Sequence, residues 1–146
     1  MMKLRTPLTE LIGIEHPVVQ TGMGWVAGAR LVAATSNAGG LGILASATMT
    51  LEQMASAIAE VRSRTTAPFG VNLRTDVADV NERIELMIET GARVASFAQA
   101  PNPTLVTRCK EAGLFVMPIQ RPWLAKKISS EVGEALRWAP LPPPPR

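Results

Sequence analysis

The sequence is poor in the residues that build metal centres and covalent cross-links. It has one cysteine, Cys109, and one histidine, His16, among 146 residues. A single cysteine cannot form an internal disulfide, and this pair is too small a set for a zinc cluster; we also expect no Cys–His nucleophile pair. No apolar run approaches the roughly 20 residues that cross a bilayer, and no signal-peptide segment opens the chain. We therefore expect a cytoplasmic protein with no metal site and no membrane contact.

The sequence has no excess of positive charge outside the end of the chain. Residues 1–120 contain ten basic and ten acidic side chains, whereas residues 121–146 contain five basic and two acidic ones. Nucleic-acid binding normally requires a clustered basic face, so the net charge of +3 predicts a solvated tail and no nucleic-acid partner. An apolar fraction of 47% excludes a disordered chain, and the length suits one domain.

What the first 120 residues do contain is an alternation of strand-like and helical patterns. Short apolar runs rich in Val, Ile and Phe occur at 17–21, 41–46, 69–73, 93–98 and 115–119. The segments between them place apolar residues on one helical face, as in Leu51, Met54, Ile58 and Val61. This repeat predicts successive βα units, and therefore a parallel sheet covered by helices.

Start and stop signals support the predicted helices. Thr50 with Gln53 and Asp79 with Glu82 have the spacing of a capping box, and Asn102 precedes a proline suited to a first turn. Glycines follow the helical segments where a left-handed residue would end each helix: Gly39, Gly40, Gly91 and Gly113.

A glycine-rich stretch, QTGMGWVAG at 20–28, follows the first predicted strand. Asn72 lies in the corresponding place at the end of the third. Parallel sheets bind ligands at the carboxyl ends of their strands, so we expect Gly22, Met23, Gly24 and Asn72 to gather there. His16 precedes the first strand and should lie at the opposite end.

One alternative is a dinucleotide-binding fold, because Gly22, Gly24 and Ala27 satisfy G-x-G-x-x-A between a strand and a helix. That fold also needs an acidic residue at the end of the second strand, and the first carboxylate after that strand is Glu52, inside the next predicted helix. Another alternative is that the glycines only allow a helix and a strand to pack closely.

The combined segments are more specific than the periodicity. HPVVQTGMGWVAGARLVAATSNAGGLGILASATMTLEQ, PFGVNL, MIETGARVASFA and CKEAGLFVMPI resemble the amino-terminal half of nitronate monooxygenases, formerly 2-nitropropane dioxygenases, which are related to FMN-dependent enoyl-ACP reductases. The resemblance implies a TIM (β/α)8 barrel that binds FMN and oxidises alkyl nitronates with dioxygen to carbonyl compounds and nitrite. It also implies that Gly22, Met23 and Gly24 form the turn under the flavin ring and that the Asn72 amide bonds to the ring. The alternatives are that Met23 is a core residue and Asn72 a helix cap.

The resemblance also indicates what this sequence lacks. A (β/α)8 barrel has eight strands, and only five are predicted here; the phosphate-binding loops and the Gly-Gly-His segment with the family's proton-abstracting histidine are missing. His16 is at the wrong end to replace it, so we expect no catalytic residue in this chain. We predict residues 1–120 to be the amino-terminal half of an FMN-binding barrel and 121–146 an atypical basic, proline-rich tail.

Taken together, these features predict a truncated, catalytically incomplete fragment of a flavin oxidoreductase. The alternative is a non-catalytic half-barrel that self-associates through its unpaired strand edges, with the tail as a docking segment for a partner domain.

Overall fold

The structure, a computed structural model, describes residues 4–99 and 101–119, so the predicted tail lies outside the described residues. Five strands alternate with helices in this part of the chain. The elements are α1 (Pro7–Ile12), β1 (Val19–Gln20), α2 (Ala29–Asn37), β2 (Leu41–Ala45), α3 (Leu51–Arg64), β3 (Phe69–Leu73), α4 (Val80–Glu89), β4 (Val94–Phe97), α5 (Pro103–Glu111) and β5 (Phe115–Pro118).

The five strands form one parallel sheet in the order β1-β2-β3-β4-β5. Each strand therefore pairs only with strands next to it in the sequence, as in a (β/α)8 barrel. A dinucleotide-binding sheet instead reverses its strand order at the ligand site, so this topology excludes the G-x-G-x-x-A alternative. The sheet is a curled half-barrel, which confirms the predicted fold class.

The two faces of the sheet have separate cores. On β2, a Cβ atom at Gly42 would lie 2.4 Å from the carbonyl oxygen of Val32, so position 42 faces α2. The outward face packs against helices α2 to α5 and includes Leu44, Phe69 and Phe97. Side chains alternate along a strand, so Leu41 and Ile43 face the other way, into the half-barrel. There they form a second cluster with Ile12, Ile14 and Val94.

Helix α1, which the sequence analysis missed, contributes to that inner cluster. Thr6 and Thr9 form a reciprocal capping box, and Pro7 occupies the first turn. Gly13 ends the helix with φ of 84°. The signal was present in the segment TPLT, but the helix is only six residues long, which is short for a periodic apolar pattern to stand out.

All three predicted helix starts are confirmed, and two of them have the predicted side-chain cap. Thr50 and Gln53 form the capping box of α3, and the Asn102 side chain accepts a hydrogen bond from the Leu105 N–H at 2.9 Å. The capping box predicted for Asp79 is wrong. Its carboxylate bonds to Arg83 instead, at 2.9 Å, and its backbone has left the extended conformation that a capping residue normally adopts.

The outermost strands of the described sheet are the least covered. Strands β2, β3 and β4 are buried throughout, whereas every residue of β1 and β5 is half-buried. Strand β1 is also shorter than the predicted 17–21, because Pro17 has no N–H and the Val18 N–H bonds locally to His16. No helix in the described part of the chain is long and apolar enough to span a bilayer.

Candidate functional site

The structure brings Gly22 and Asn72 into contact at the carboxyl ends of the strands. A Cβ atom at Gly22 would lie 2.5 Å from Cβ of Asn72 and 3.0 Å from its Cγ. Such distances do not occur between real side chains, so only glycine fits at position 22 without moving Asn72. Contact of this glycine with a flavin ring stays a prediction, and the structure adds a second reason for it: position 22 makes space for the asparagine side chain.

Asn72 is held by two serines: Ser96, which lies in β4, and Ser46, which directly follows β2. Its Nδ2 donates to the Ser96 Oγ at 3.2 Å, and its backbone oxygen accepts from the Ser46 Oγ at 2.6 Å. Asn72 is only 4% exposed, and both serines are buried. It lies within β3 and caps no helix, so the alternative role as a helix cap is excluded.

The hydrogen bonds orient the Asn72 amide. Because Nδ2 points to Ser96, Oδ1 lies on the side of Gly22, 3.5 Å from the Cβ position of that residue. An acceptor is therefore presented toward the glycine-rich turn. Sequence reasoning missed Ser46 and Ser96, although each is a polar residue at the carboxyl end of an otherwise apolar strand.

The turn that follows Gly22 is fastened to the sheet. The N–H groups of Val26 and Ala27 both donate to the Met23 carbonyl oxygen, at 3.0 and 2.8 Å. The Ala27 carbonyl oxygen then accepts from the Ala45 N–H at the end of β2, at 3.0 Å. Met23 is 39% exposed, so it is not the core residue that one alternative required.

Gly24 differs from Gly22 in its surroundings. The nearest atom to a Cβ at position 24 would be the Thr48 Cγ2, at 3.7 Å, which is an ordinary contact. The described part of the chain therefore does not require glycine here on steric grounds, and the backbone of residue 24 is open to a ligand.

Trp25, next in the same turn, has an unusual backbone. Its φ is 65°, the only positive value for a non-glycine residue in the described chain, and the residue is 89% exposed. Left-handed conformations are normally occupied by glycine or asparagine, because a Cβ atom is strained there. Sequence analysis could not foresee this, since GMGW offers two glycines for a turn.

A cavity of about 330 Å³ lies beside this turn. It is lined by Trp25, Ala27, Gly28, Ala45, Thr48, Met49 and Gln53. Among these described lining residues none carries a charge, and the volume is at the small end for ligand sites. The site suits an uncharged, flat or compact group such as a flavin ring or an apolar substrate skeleton. It offers no cation for a phosphate.

A buried arginine holds the loop that forms one wall of this cavity. The Arg83 guanidinium, on α4, donates to the carbonyl oxygens of Ser46 at 3.2 Å and Met49 at 2.8 Å, while Asp79 balances its charge. The guanidinium also holds the pKa of the Asp79 carboxyl below its usual range. Arg83 thereby fixes the β2–α3 loop, which contains Ser46 and Thr48.

A second ion pair lies directly after β3. Arg74 donates to Asp76 through two nitrogens, at 2.8 and 2.6 Å. These hydrogen bonds lower the pKa of Asp76 to about 2. Both side chains are nearly half exposed, so Asp76 is ionised at neutral pH and is poorly suited to accept a proton.

One buried acceptor near the turn has no hydrogen-bond partner within residues 4–99 and 101–119, namely the Oε1 of Gln20. The Nε2 of the same side chain bonds to the carbonyl oxygens of Thr21 and Ile43. An unpaired buried acceptor destabilises a structure, so Gln20 is suited to receive a donor from outside the described residues.

His16 and Cys109 lie away from this site. The His16 N–H bonds to the Gly39 carbonyl oxygen, just before β2 begins, at the amino-terminal end of the strands. Cys109 is buried in the outer core, where burial raises the pKa of its thiol to about 11. Neither residue can serve as a base at the carboxyl ends of the strands.

Relatives of the chain include two bacterial dehydrogenases. It is 71% identical over 117 residues to a (3aS,4S,5R,7aS)-5-hydroxy-7a-methyl-1-oxo-octahydro-1H-indene-4-carboxyl-CoA dehydrogenase from Mycobacterium tuberculosis, a match that covers 80% of this chain and 33% of that protein. A dehydrogenase of the same name from Rhodococcus jostii is 56% identical over 137 residues, which covers 93% of this chain and 39% of that protein. The chain thus spans little more than a third of these relatives.

A structural neighbour and a family profile also match the chain. FabK from Thermotoga maritima superposes with a TM-score of 0.81 at 33% identity, over 89% of this chain and 42% of that one. The sequence profile of nitronate monooxygenase matches residues 5–133, which extends past the predicted boundary at residue 120. The chain belongs to the nitronate monooxygenase family.

Proposed function

We propose that this chain forms the flavin-contacting half of an FMN-dependent oxidoreductase, with Gly22, Met23, Gly24 and Asn72 as its cofactor-binding residues. The observation that carries the proposal is the open backbone of Gly24, in a turn that begins where Gly22 meets the buried Asn72, whose Oδ1 faces Gly22. An amide acceptor and bare backbone at the carboxyl ends of parallel strands suit a planar, hydrogen-bonding ring.

In this proposal each residue has a separate task. Gly22 leaves space for Asn72, Ser96 orients the Asn72 amide, and Gly24 lets a ring approach the main chain. Bound FMN would supply the two-electron redox chemistry. The uncharged cavity lining favours the ring over the phosphate, so the phosphate contacts must come from residues other than those that line it.

We further propose a ring carboxyl-CoA thioester as the substrate class. The two relatives at 71% and 56% identity are named for dehydrogenation of such a compound. Oxidation of alkyl nitronates with dioxygen is the second candidate, because the family profile that matches the chain carries that name. Incubation of an FMN-loaded version of the chain, continued with a family-type second half, with each substrate under nitrogen and under air separates the two candidates, because nitrite forms only in the second reaction.

We expect the isolated 146-residue chain to turn over neither substrate. The described residues at the site include no group suited to abstract a proton, and the sequence contains no Gly-Gly-His segment. Loss of a general base typically lowers a rate by about 10²- to 10⁴-fold. Turnover by the isolated chain that is abolished by Asn72→Ala would contradict this expectation.

FMN binding tests the site directly. Gly24→Ala introduces a methyl group that the chain itself accommodates, so the fold should be kept while FMN affinity falls about tenfold, or about 1.4 kcal/mol. His16→Ala, at the opposite end of the sheet, is the matched control. Equal FMN affinity in wild type and Gly24→Ala, measured by flavin fluorescence titration, would show that the turn does not contact FMN.

Self-association is the remaining candidate function, and the half-buried β1 and β5 favour it. Exposed strand edges readily pair with another chain. Sedimentation over a range of concentrations tests this: a dimer without flavin absorbance favours self-association, whereas a monomer at high concentration contradicts it.

A further inference from the structure

We infer that Trp25 is a specificity-determining residue, whose indole ring packs against the fused alicyclic skeleton of the substrate. The inference rests on the ring carboxyl-CoA substrate class proposed above. It goes further by assigning recognition of the skeleton to one side chain at the rim of the 330 Å³ cavity.

The backbone of Trp25 is the first observation. The turn is closed by the hydrogen bond from Val26 N–H to the Met23 carbonyl oxygen, which places Trp25 third among its four residues. A positive φ at this position normally calls for glycine or asparagine. Tryptophan is a poor choice for the turn itself, and strained residues of this kind concentrate at functional sites.

The exposure of Trp25 is the second observation. At 89% exposed, its side chain buries almost no area against the described chain, so it contributes little to the core. Packing within the half-barrel therefore does not explain the strain. We attribute it to a group from outside the described residues.

The position of Trp25 is the third observation. The turn is tied to the end of β2 through the Ala45 N–H and the Ala27 carbonyl oxygen, so the indole is carried on an anchored segment beside the cavity. Ala27, Ala45 and Met49 make the adjoining wall apolar. A large flat aromatic ring over an apolar wall suits a rigid hydrocarbon skeleton better than a small, charged nitronate.

The test compares two ligands on three forms of the 146-residue chain: wild type, Trp25→Gly and Trp25→Phe. The ligands are the 7a-methyl-1-oxo-octahydroindene-4-carboxyl-CoA thioester and butyryl-CoA, with dissociation constants measured by calorimetry. Trp25→Gly should weaken the fused-ring thioester about tenfold or more and leave butyryl-CoA nearly unchanged. Trp25→Phe should retain most of the affinity. Trp25→Gly should also raise the melting temperature, because glycine relieves the left-handed strain.

The opposite signs of the two effects distinguish recognition from packing. A lower melting temperature in Trp25→Gly, or a dimer in wild type that this variant dissociates, would assign Trp25 to structure and overturn the inference. So would equal weakening of both ligands. Wild type that retains FMN but does not bind the fused-ring thioester would overturn the inference and leave the flavin site standing. Selective thioester binding that is lost in Trp25→Gly, without FMN retention, would support the inference and remove the flavin proposal.

Discussion

The side chain of Asn72 fills the space that any side chain at position 22 would need, with only 2.5 Å between the two Cβ positions. Gly22→Ala should therefore displace Asn72 or the turn and lower the free energy of unfolding by about 1–3 kcal/mol, as overpacking does. Urea unfolding measures the change. Gly24→Ala, whose new methyl would lie 3.7 Å from its nearest neighbour, is the control and should leave stability nearly unchanged. Equal stability of the two variants would contradict the contact.

Ser96 should contribute to both the stability of the fold and FMN binding. Ser96→Ala removes the acceptor of the buried Asn72 Nδ2 and leaves that donor unpaired. We expect a loss of about 1–3 kcal/mol in unfolding free energy, together with weaker FMN binding as the amide loses its orientation. Ser63→Ala is the control, because that serine is exposed and bonds only within α3. Unchanged FMN affinity in Ser96→Ala would show that the Ser96–Asn72 hydrogen bond does not contribute to FMN binding.

Arg83 should be the most sensitive charged residue of the described chain. Arg83→Ala leaves the Ser46 and Met49 carbonyl oxygens without their donor and frees the β2–α3 loop. The expected loss is about 2–4 kcal/mol from the unsatisfied groups and the vacated volume. Arg64→Ala breaks the exposed pair with Glu60 and should cost less than about 1 kcal/mol. Comparable losses in the two variants would show that burial adds nothing to the Arg83 contacts.

The ion pair of Asp79 with Arg83 should make the free energy of unfolding depend on pH in the acidic range. Arg83 lowers the pKa of Asp79 in the folded protein, so the pair stabilises the fold above the unfolded pKa of Asp79. That contribution is lost as pH falls through the lower, folded pKa. Wild type should therefore lose more unfolding free energy than Asp79→Asn between neutral and strongly acidic pH. Glu82→Gln removes a carboxylate from the same helix as the control. An acid profile of Asp79→Asn parallel to that of wild type would contradict the pairing.

The parts of the fold that could be predicted are those that local chemistry determines. Thr50 with Gln53 began a helix as predicted because the two side chains satisfy each other's backbone donors. A helix also begins after Asp79, but no capping box forms there, because Arg83, one turn away, binds the Asp79 carboxylate from a buried position that only the packed structure creates. The sequence spacing is the same in both cases, so the presence of a tertiary partner for the carboxylate determines whether a capping box forms.

The meeting of Gly22 and Asn72 at one end of the sheet could also be predicted from the sequence. Strand-end positions identified Gly22 and Asn72, because parallel strands align their carboxyl ends. The steric reason for Gly22 depends on the distance between two strand ends, and the left-handed backbone of Trp25 depends on how the turn is fastened to β2. Neither feature can be predicted from the neighbouring residues in the sequence. The roles of Ser46 and Ser96 depend on the strand register, which pairs Asn72 with Ser96 and with Ala45, the residue before Ser46.

The unbroken strand order also bears on how the protein is made. Each strand pairs with the one synthesised just before it, so no strand must wait for a distant partner. Structure can therefore accumulate from the amino terminus while the ribosome is still translating, each new βα unit adding to an existing edge. Throughout that growth the newest strand is an open edge, which makes pausing during translation the moment of greatest exposure to aggregation.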